Sequence, residues 1–247
     1  MTIREFFTVH PRVAIAFSGG VDSTYLLYAA KEAGADVIAY YVRSQFQPAF
    51  EYEDAVKMAE LTGAQMRVIG VDALEDERVR ANPADRCYFC KIHIMGAIRR
   101  AAAEDGFDLI CDGTNASDDV SDRPGFKALQ EFGICSPLRE CDLTKTRIRE
   151  LAREAGLPVW NKPSYACLAT RIPSGEEITE DKLRKTELAE TALFEMGFRD
   201  FRVRMRGGAA LVQVTAAQYG EAVSRKTGIE NAIGELYTSV TIDEHTR

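Results

Sequence analysis

A chain of 247 residues, 46% hydrophobic and 28% charged, has ordinary globular composition and room for one to two domains. Its 31 basic and 38 acidic residues leave a net charge of −7, which argues against a protein held on nucleic acid by a broad basic face. No apolar run approaches the ~20 residues that cross a bilayer, and the N-terminal MTIREFFTVHPRVAIAF carries charges where a secretory leader needs an apolar stretch. A cytoplasmic protein with no membrane partner is therefore expected. Six cysteines in that compartment are expected as reduced thiols, metal ligands or catalytic groups, not as a disulfide framework.

Residues 13–17 form a compact apolar run, predicted as a buried strand that ends at Ser18-Gly19-Gly20. A helix is predicted over 22–33, stopped by Gly34, then a strand over 37–42, a helix over 52–62 and a strand over 65–71. The pattern predicts another helix over 90–105 and a strand over 108–111. Asp112-Gly113-Thr114-Asn115 turns at its carboxyl end, and a helix over 145–155 follows. Strands alternating with helices imply an α/β fold with a parallel sheet covered on both faces, whose ligands bind outside the carboxyl ends of the strands. From 160 to 177 the pattern lapses. A helix over 181–196, strands over 201–205 and 210–214 around Gly207-Gly208, a helix over 218–226 and a strand over 237–242 follow. The expected organisation is a parallel-sheet domain over 1–160 and a smaller α+β domain over 178–247, joined by a linking loop at 161–177.

The strongest chemical signal is Ser18-Gly19-Gly20-Val21-Asp22-Ser23, between a buried strand and a helix. Two glycines let the backbone approach an anion, and the helix start behind them offers unpaired N–H groups and a positive dipole end. Ser18 and Ser23 add hydroxyl donors. Asp22 makes sense if a divalent cation bridges it to phosphate. The plain alternative is a Gly-rich turn with Asp and Ser capping the helix. No Gly-Lys-Ser/Thr follows, so this is not a Walker-A loop. SGGVDS after an N-terminal strand resembles the signature of the PP-loop ATP pyrophosphatases, which bind ATP at this loop, release pyrophosphate and adenylate a substrate oxygen.

Two further segments carry cysteine. Arg86-Cys87-Tyr88-Phe89-Cys90-Lys91 is a CxxC with cations beside the thiols, which favour thiolate; its alternative is a buried pair at a helix start. A second CxxC that would complete a four-cysteine zinc site is absent, and Cys135 and Cys141 are spaced poorly for one. Lys162-Pro163-Ser164-Tyr165-Ala166-Cys167-Leu168-Ala169-Thr170-Arg171 sets a lone cysteine near Lys162 and Arg171, a candidate activated thiolate or a chance loop cysteine. This segment is similar to the signature of the LarE-type ATP-dependent sulfur transferases, which mature the nickel-pincer nucleotide of lactate racemase. RCYFCK, DGTN followed by Asp118 and Asp119, SPLRE with Thr144-Lys145 after it, and Arg202-Val203-Arg204 match the family in order, from about residue 13 onward.

The resemblance implies an adenine nucleotide alpha hydrolase-like fold and an AMP-forming sulfur transferase using ATP and Mg2+. Ser18, Gly19, Gly20, Asp22 and Ser23 would hold phosphates and metal, with Asp112 and Asn115 at ATP hydroxyls or magnesium; an Asp-Gly turn with side-chain caps is the bland alternative. One form of the family sacrifices the sulfur of its own cysteine. The other holds a 4Fe–4S cluster on three cysteines, and Cys87, Cys90 and Cys167 match that form, since three thiolates leave one iron open. Cys111 reads as core, and Cys135 and Cys141 as structural. Arg202, Arg204 and Arg206 alternate along a strand and share a face, either solvated or suited to a phosphate-bearing substrate, with Arg202 and Arg204 the candidates. Glu187 and Glu190 read as solvent-facing. The family substrate is pyridinium-3,5-biscarboxylic acid mononucleotide, each carboxylate becoming a thiocarboxylate. Family members imply a homo-oligomer, with a hexamer as the candidate form. The alternatives are a PP-loop tRNA thiolase with a cluster, a sacrificial Cys167 without one, and a cysteine-bound metal carrier that binds nucleotide only for regulation.

Overall fold

A computed structural model describes residues 1–119 and 124–247. Strand β1 (Arg12–Phe17) sends Val13, Ile15 and Phe17 into one core and Ala14 into another. A strand apolar on both sides is stable only in a sheet covered on both faces. β1 pairs in parallel with β2 (Asp36–Arg43), β2 with β3 (Gln65–Gly70), and the other edge of β1 with β4 (Ile110–Cys111). The order is therefore β3-β2-β1-β4. The chain winds outward through β3 and returns on the far side of β1, so the order reverses between β1 and β4. A crevice at that switch point, outside the carboxyl ends, is where such sheets take ligands.

Helix α1 (Ile3–Val9) starts at a Thr2–Glu5 capping box and buries Phe6 and Phe7. With α2 (Val21–Glu32) and α3 (Ala49–Leu61) it supplies the first core, where Leu26, Leu27, Ala55 and Met58 meet Val13 and Ile15. After α4 (Glu77–Arg80), helix α5 (Arg86–Glu104) covers the opposite face with Met95, Ile98 and Ala102, joined by Leu129 of α6 (Pro124–Glu131). α7 (Pro137–Glu140) and α8 (Lys145–Glu154) close this part, Ile148 and Ala152 entering the first core.

Lys162 ends the first compact unit. Pro163–Arg247 forms the second, together with the excursion Leu74–Ala84 that carries α4. Residues 74–84 and 163–177 thus belong with the second unit and not with the first domain or a separate linker. In the second unit α9 (Glu180–Glu195), capped by Thr179, packs on an antiparallel pair, β5 (Arg202–Arg206) and β6 (Ala209–Gln213). Gly207 and Gly208, at φ 54° and 88°, make the hairpin turn that only left-handed residues close tightly. The helix expected over 218–226 is α10 (Ala216–Ser224), and a second helix that was not expected follows it, α11 (Lys226–Ile233), with Ile229 and Ile233 buried. β7 (Val240–Ile242) pairs in parallel with β6. Among the described residues, no helix is long and apolar enough to cross a membrane.

Candidate active site

The loop between β1 and α2 lies at the switch point. Gly19 is at φ +73°, and a Cβ there would stand 2.7 Å from Ala55 Cα on α3. Only glycine fits both the conformation and the space. Gly20 N–H donates to Ser18 Oγ (3.3 Å), and the Ser18 and Ser23 hydroxyls are 3.0 Å apart. Hydroxyls, loop amides and the orphan N–H groups of the first turn of α2 thus gather at one end of one helix, a donor set suited to phosphate.

From the neighbouring strand end, the 112–115 turn packs against that helix start. A Cβ on Gly113 would lie 3.0 Å from the Ser23 amide nitrogen. Asp112 is buried and accepts from Ser136 Oγ (2.7 Å), the Thr114 amide (3.2 Å) and Thr114 Oγ1 (2.5 Å). Its carboxylate therefore serves the turn, as an Asx cap does. Asn115, also buried, accepts from Ser117 N–H and points Nδ2 at Asp22 Oδ1 (3.5 Å). Asp22 faces the ammonium of Lys145, the first residue of α8, at 2.5 Å. Burial pushes the Asp22 carboxyl up from its ordinary range, Lys145 pulls it down, and Asp118 adds a further upward push. Asp22 thus holds a cation, the Lys145 ammonium, at the start of α2.

Helix α5 begins at Arg86, four residues before the predicted start, so Cys87 lies in its first turn and Cys90 at the start of the second. Spaced i, i+3, they share a face. Cys87 is exposed, Cys90 half-buried, and Arg86 Nη2 lies 3.7 Å from Cys87 Sγ. Cys167, half-buried, belongs to the second unit and caps a 3₁₀ turn, Leu168–Arg171. Three thiols are donors of the type that hold iron–sulfur clusters. Among the described residues no three His, Cys, Asp or Glu side chains form a metal-holding group. Cys111 is fully buried, its backbone bridged to Cys135, and Cys135 Sγ donates to Glu140 (3.0 Å).

The two cations near Cys167 in the sequence are both committed. Lys162 pairs with Glu51 and Asp54, each at 3.0 Å, within the first unit. Arg171 is one of the most buried side chains. Its Nε and Nη2 donate to Glu190 at 2.7 and 3.0 Å, and its Nη1 donates to the carbonyl of Ala166 at 3.0 Å. Glu190 also accepts from Val203 N–H (2.8 Å) and from Tyr165 Oη. Glu190 is therefore not solvent-facing: α9 turns it inward, against β5. Arg202 is buried as well, donating to Phe201 O (2.5 Å) and Ser164 O (2.6 Å) and lying over the Tyr165 ring. Burial and the charge of Arg171 pull the Arg202 guanidinium down to about 10. Arg204, half-buried, donates to Gln213 Oε1 and Thr170 O, each at 3.1 Å, while Arg206 is exposed. The three share a face, as alternation requires, but the strand grades them from buried to solvated.

Comparison with known proteins agrees with this architecture. Residues 11–71 match the family described as tRNA methyl transferase HUP domain. A pyridinium-3,5-bisthiocarboxylic acid mononucleotide synthase of Lactiplantibacillus plantarum is 33% identical over 94% of this chain and 85% of its own length. The chain belongs to that LarE-type synthase family. An uncharacterised protein of Synechocystis sp. is 34% identical over 95% of this chain and 86% of its own. A tRNA-specific 2-thiouridylase of Pseudothermotoga lettingae is 25% identical over 94% of this chain and 71% of its own. As a LarE-type PP-loop protein, the chain is an ATP-using enzyme. The sequence gives no role to Lys145 or Ser136, whose contacts with Asp22 and Asp112 are made across the fold. Glu190 was also missed. The signal was present: Leu183, Thr186, Glu190 and Leu193 recur at helical spacing on the buried stripe of α9.

Proposed function

We propose that the chain is an AMP-forming sulfur transferase acting on pyridinium-3,5-biscarboxylic acid mononucleotide. The observation that carries this reading is the 33% identity to the L. plantarum synthase over 94% of the chain, which spans the PP-loop and the Cys167 loop together. Ser18, Gly19, Gly20 and Ser23 bind the phosphates of ATP. Asp22 binds Mg2+ in exchange for Lys145, and Asn115 orients the Asp22 carboxylate. A substrate carboxylate oxygen attacks the α-phosphorus, the bond to the bridging oxygen breaks, and pyrophosphate leaves with the electron pair. Sulfide then attacks the acyl carbon and AMP departs, leaving a thiocarboxylate.

Cys87, Cys90 and Cys167 are the ligands of a 4Fe–4S cluster in this reading; when bound, such a cluster supplies an open iron that carries sulfide. Arg204 binds the substrate phosphate, and Arg202, whose donors are used on main-chain carbonyls, holds the loop that carries Cys167. The protein acts as a cytoplasmic homo-oligomer. Substrate-stimulated ATP–pyrophosphate exchange, with iron and sulfide analysis of anaerobically reconstituted protein, tests the proposal. Exchange with no substrate stimulation would overturn the assigned substrate, and absence of exchange would leave a nucleotide-regulated carrier.

A tRNA thiolase is the second reading, favoured by the 25% identity to a tRNA 2-thiouridylase over most of the chain. The net charge of −7 opposes it. A gel shift with tRNA decides between the two.

A further inference from the structure

One pair of thiols takes no part in the proposed chemistry. Cys111 ends β4, and Cys135 lies beside it in parallel, its N–H donating to Ile110 O (2.9 Å) and its carbonyl accepting from Asp112 N–H (2.9 Å). Backbones joined in this way stand about 4.8 Å apart, within the span that a disulfide bridges. Both are free thiols packed in or against the first core, Cys111 fully buried and Cys135 half-buried. Contact with the Cys135 thiol and burial push the Cys111 thiol far above its ordinary range, so Cys111 keeps its proton. The Cys135 thiol donates instead to Glu140, an exposed carboxylate, at 3.0 Å. One sulfur is thus reachable from solvent with a proton acceptor beside it, and the other lies behind it. The residues that follow them belong to the turn at the proposed ATP site. Ser136 Oγ donates to Asp112 (2.7 Å), and a Cβ on Gly113 would stand 3.0 Å from the Ser23 amide nitrogen of α2.

We propose that Cys111 and Cys135 are a modification site: hydrogen peroxide joins them in a disulfide that disturbs the 112–115 turn and shuts off adenylation until a thiol reductant opens it. The Cys135 sulfur, giving its proton to Glu140, attacks one peroxide oxygen. The O–O bond breaks, and the other oxygen leaves as hydroxide, which takes up that proton as water. Cys135 is then a sulfenic acid. The Cys111 sulfur attacks it, the S–O bond breaks, and the hydroxyl departs with the Cys111 proton as a second water. Two thiols lose two electrons to one peroxide, and no other reactant is needed. Disulfides of reducing compartments are usually of this transient kind. In closing to about 2 Å the sulfurs pull on the end of β4. Gly113 leaves the turn no slack against α2, so the pull reaches the phosphate-binding loop. The inference rests on the proposed ATP site and adds a control to it.

The test uses the full-length protein, with hydrogen peroxide as oxidant and dithiothreitol as reductant. The treated parent should show a Cys111–Cys135 link in its peptide map, with two hydrogens lost, and ATP–pyrophosphate exchange lowered about 10- to 100-fold. Dithiothreitol should restore the exchange. Cys135→Ala should exchange like the untreated parent and keep that rate through the same dose. Cys111→Ala gives the same reading if the first variant melts early. Both variants retain Cys87, Cys90 and Cys167, so protection cannot come from those thiols. An inactivated parent without the link, equal losses in the parent and in a folded variant, or a linked parent at full exchange would each overturn the proposal. A parent that shows no exchange before treatment would overturn the ATP site and the control of it, while the link in the peptide map would still establish the modification site.

Discussion

Glu190→Gln tests how dry the second unit is around the Cys167 loop. The Glu190 carboxylate accepts from Arg171 Nε and Nη2, from Val203 N–H and from Tyr165 Oη, with 1% of the residue exposed. Tyr165 remains a donor at any working pH, because burial and the Glu190 charge push its phenol far above the ordinary range. Glutamine preserves shape but removes the charge and turns one acceptor into an amide that meets donors. Arg171 is then a buried charge without a counterion, a change that costs about 3–5 kcal/mol. At roughly 2–4 °C per kcal/mol for a chain of this size, the transition of the second unit should fall by about 6–20 °C. Scanning calorimetry reads it, and amide exchange should rise over 164–172, where Arg171 Nη1 holds the carbonyl of Ala166. A fall of less than about 3 °C would mean that water reaches the pair and that the reasoning from burial is wrong.

Asp22→Ala should abolish magnesium-dependent pyrophosphate release while the melting curve stays close to the parent's; full turnover in the folded variant removes Asp22 from the site. Arg204→Ala should raise the KM for the nucleotide substrate more than that for ATP, by the about 1.5–3 kcal/mol of a charge-assisted hydrogen bond. Equal changes for both ligands would place the substrate phosphate elsewhere. Replacing Cys87, Cys90 or Cys167 by Ala should lower bound iron and stop sulfur transfer while adenylation persists, whereas Cys135→Ala should retain both. Loss of one sulfur from Cys167 in a single turnover, with no dependence on Cys87 or Cys90, would replace the cluster by a sacrificial donor.

The parallel sheet and the PP-loop were legible because each rests on local rules. An apolar run into two glycines and a helix start has few other readings, and Gly19 meets both of its constraints, the left-handed backbone and the contact with Ala55. The errors lie where partners are distant in sequence. Glu190 reads as one charge on a charged helix until Arg171 arrives from another segment to neutralise it. Lys145 reads as an ordinary first-turn lysine until α8 packs beside α2 and brings it to Asp22. The start of α5 was misplaced for a local reason: Asp85 and Arg86 carry no apolar periodicity, so the pattern becomes visible only further along the helix.

The loop that carries Cys167 is held from several directions within the second unit. Arg171 ties it to Glu190, Arg202 reaches Ser164 O, Arg204 reaches Thr170 O, and just beyond it Asn82 donates to Ile172 O and Pro173 O. Asn82 is fully buried at φ +54°, a conformation costly for a residue with a side chain and retained because its amide closes three carbonyl contacts, the third to Glu176 O. Short surface loops seldom receive such support unless the position of one atom matters. Both roles open to Cys167, cluster ligand and sulfur donor, require its Sγ to return to one place. A thiol displaced by an ångström loses most of the advantage of proximity. The arginines of β5 accordingly do two jobs at graded depth. The buried Arg202 reaches Ser164 O and the half-buried Arg204 reaches Thr170 O, while Arg204 is the one the proposed function gives to the substrate phosphate.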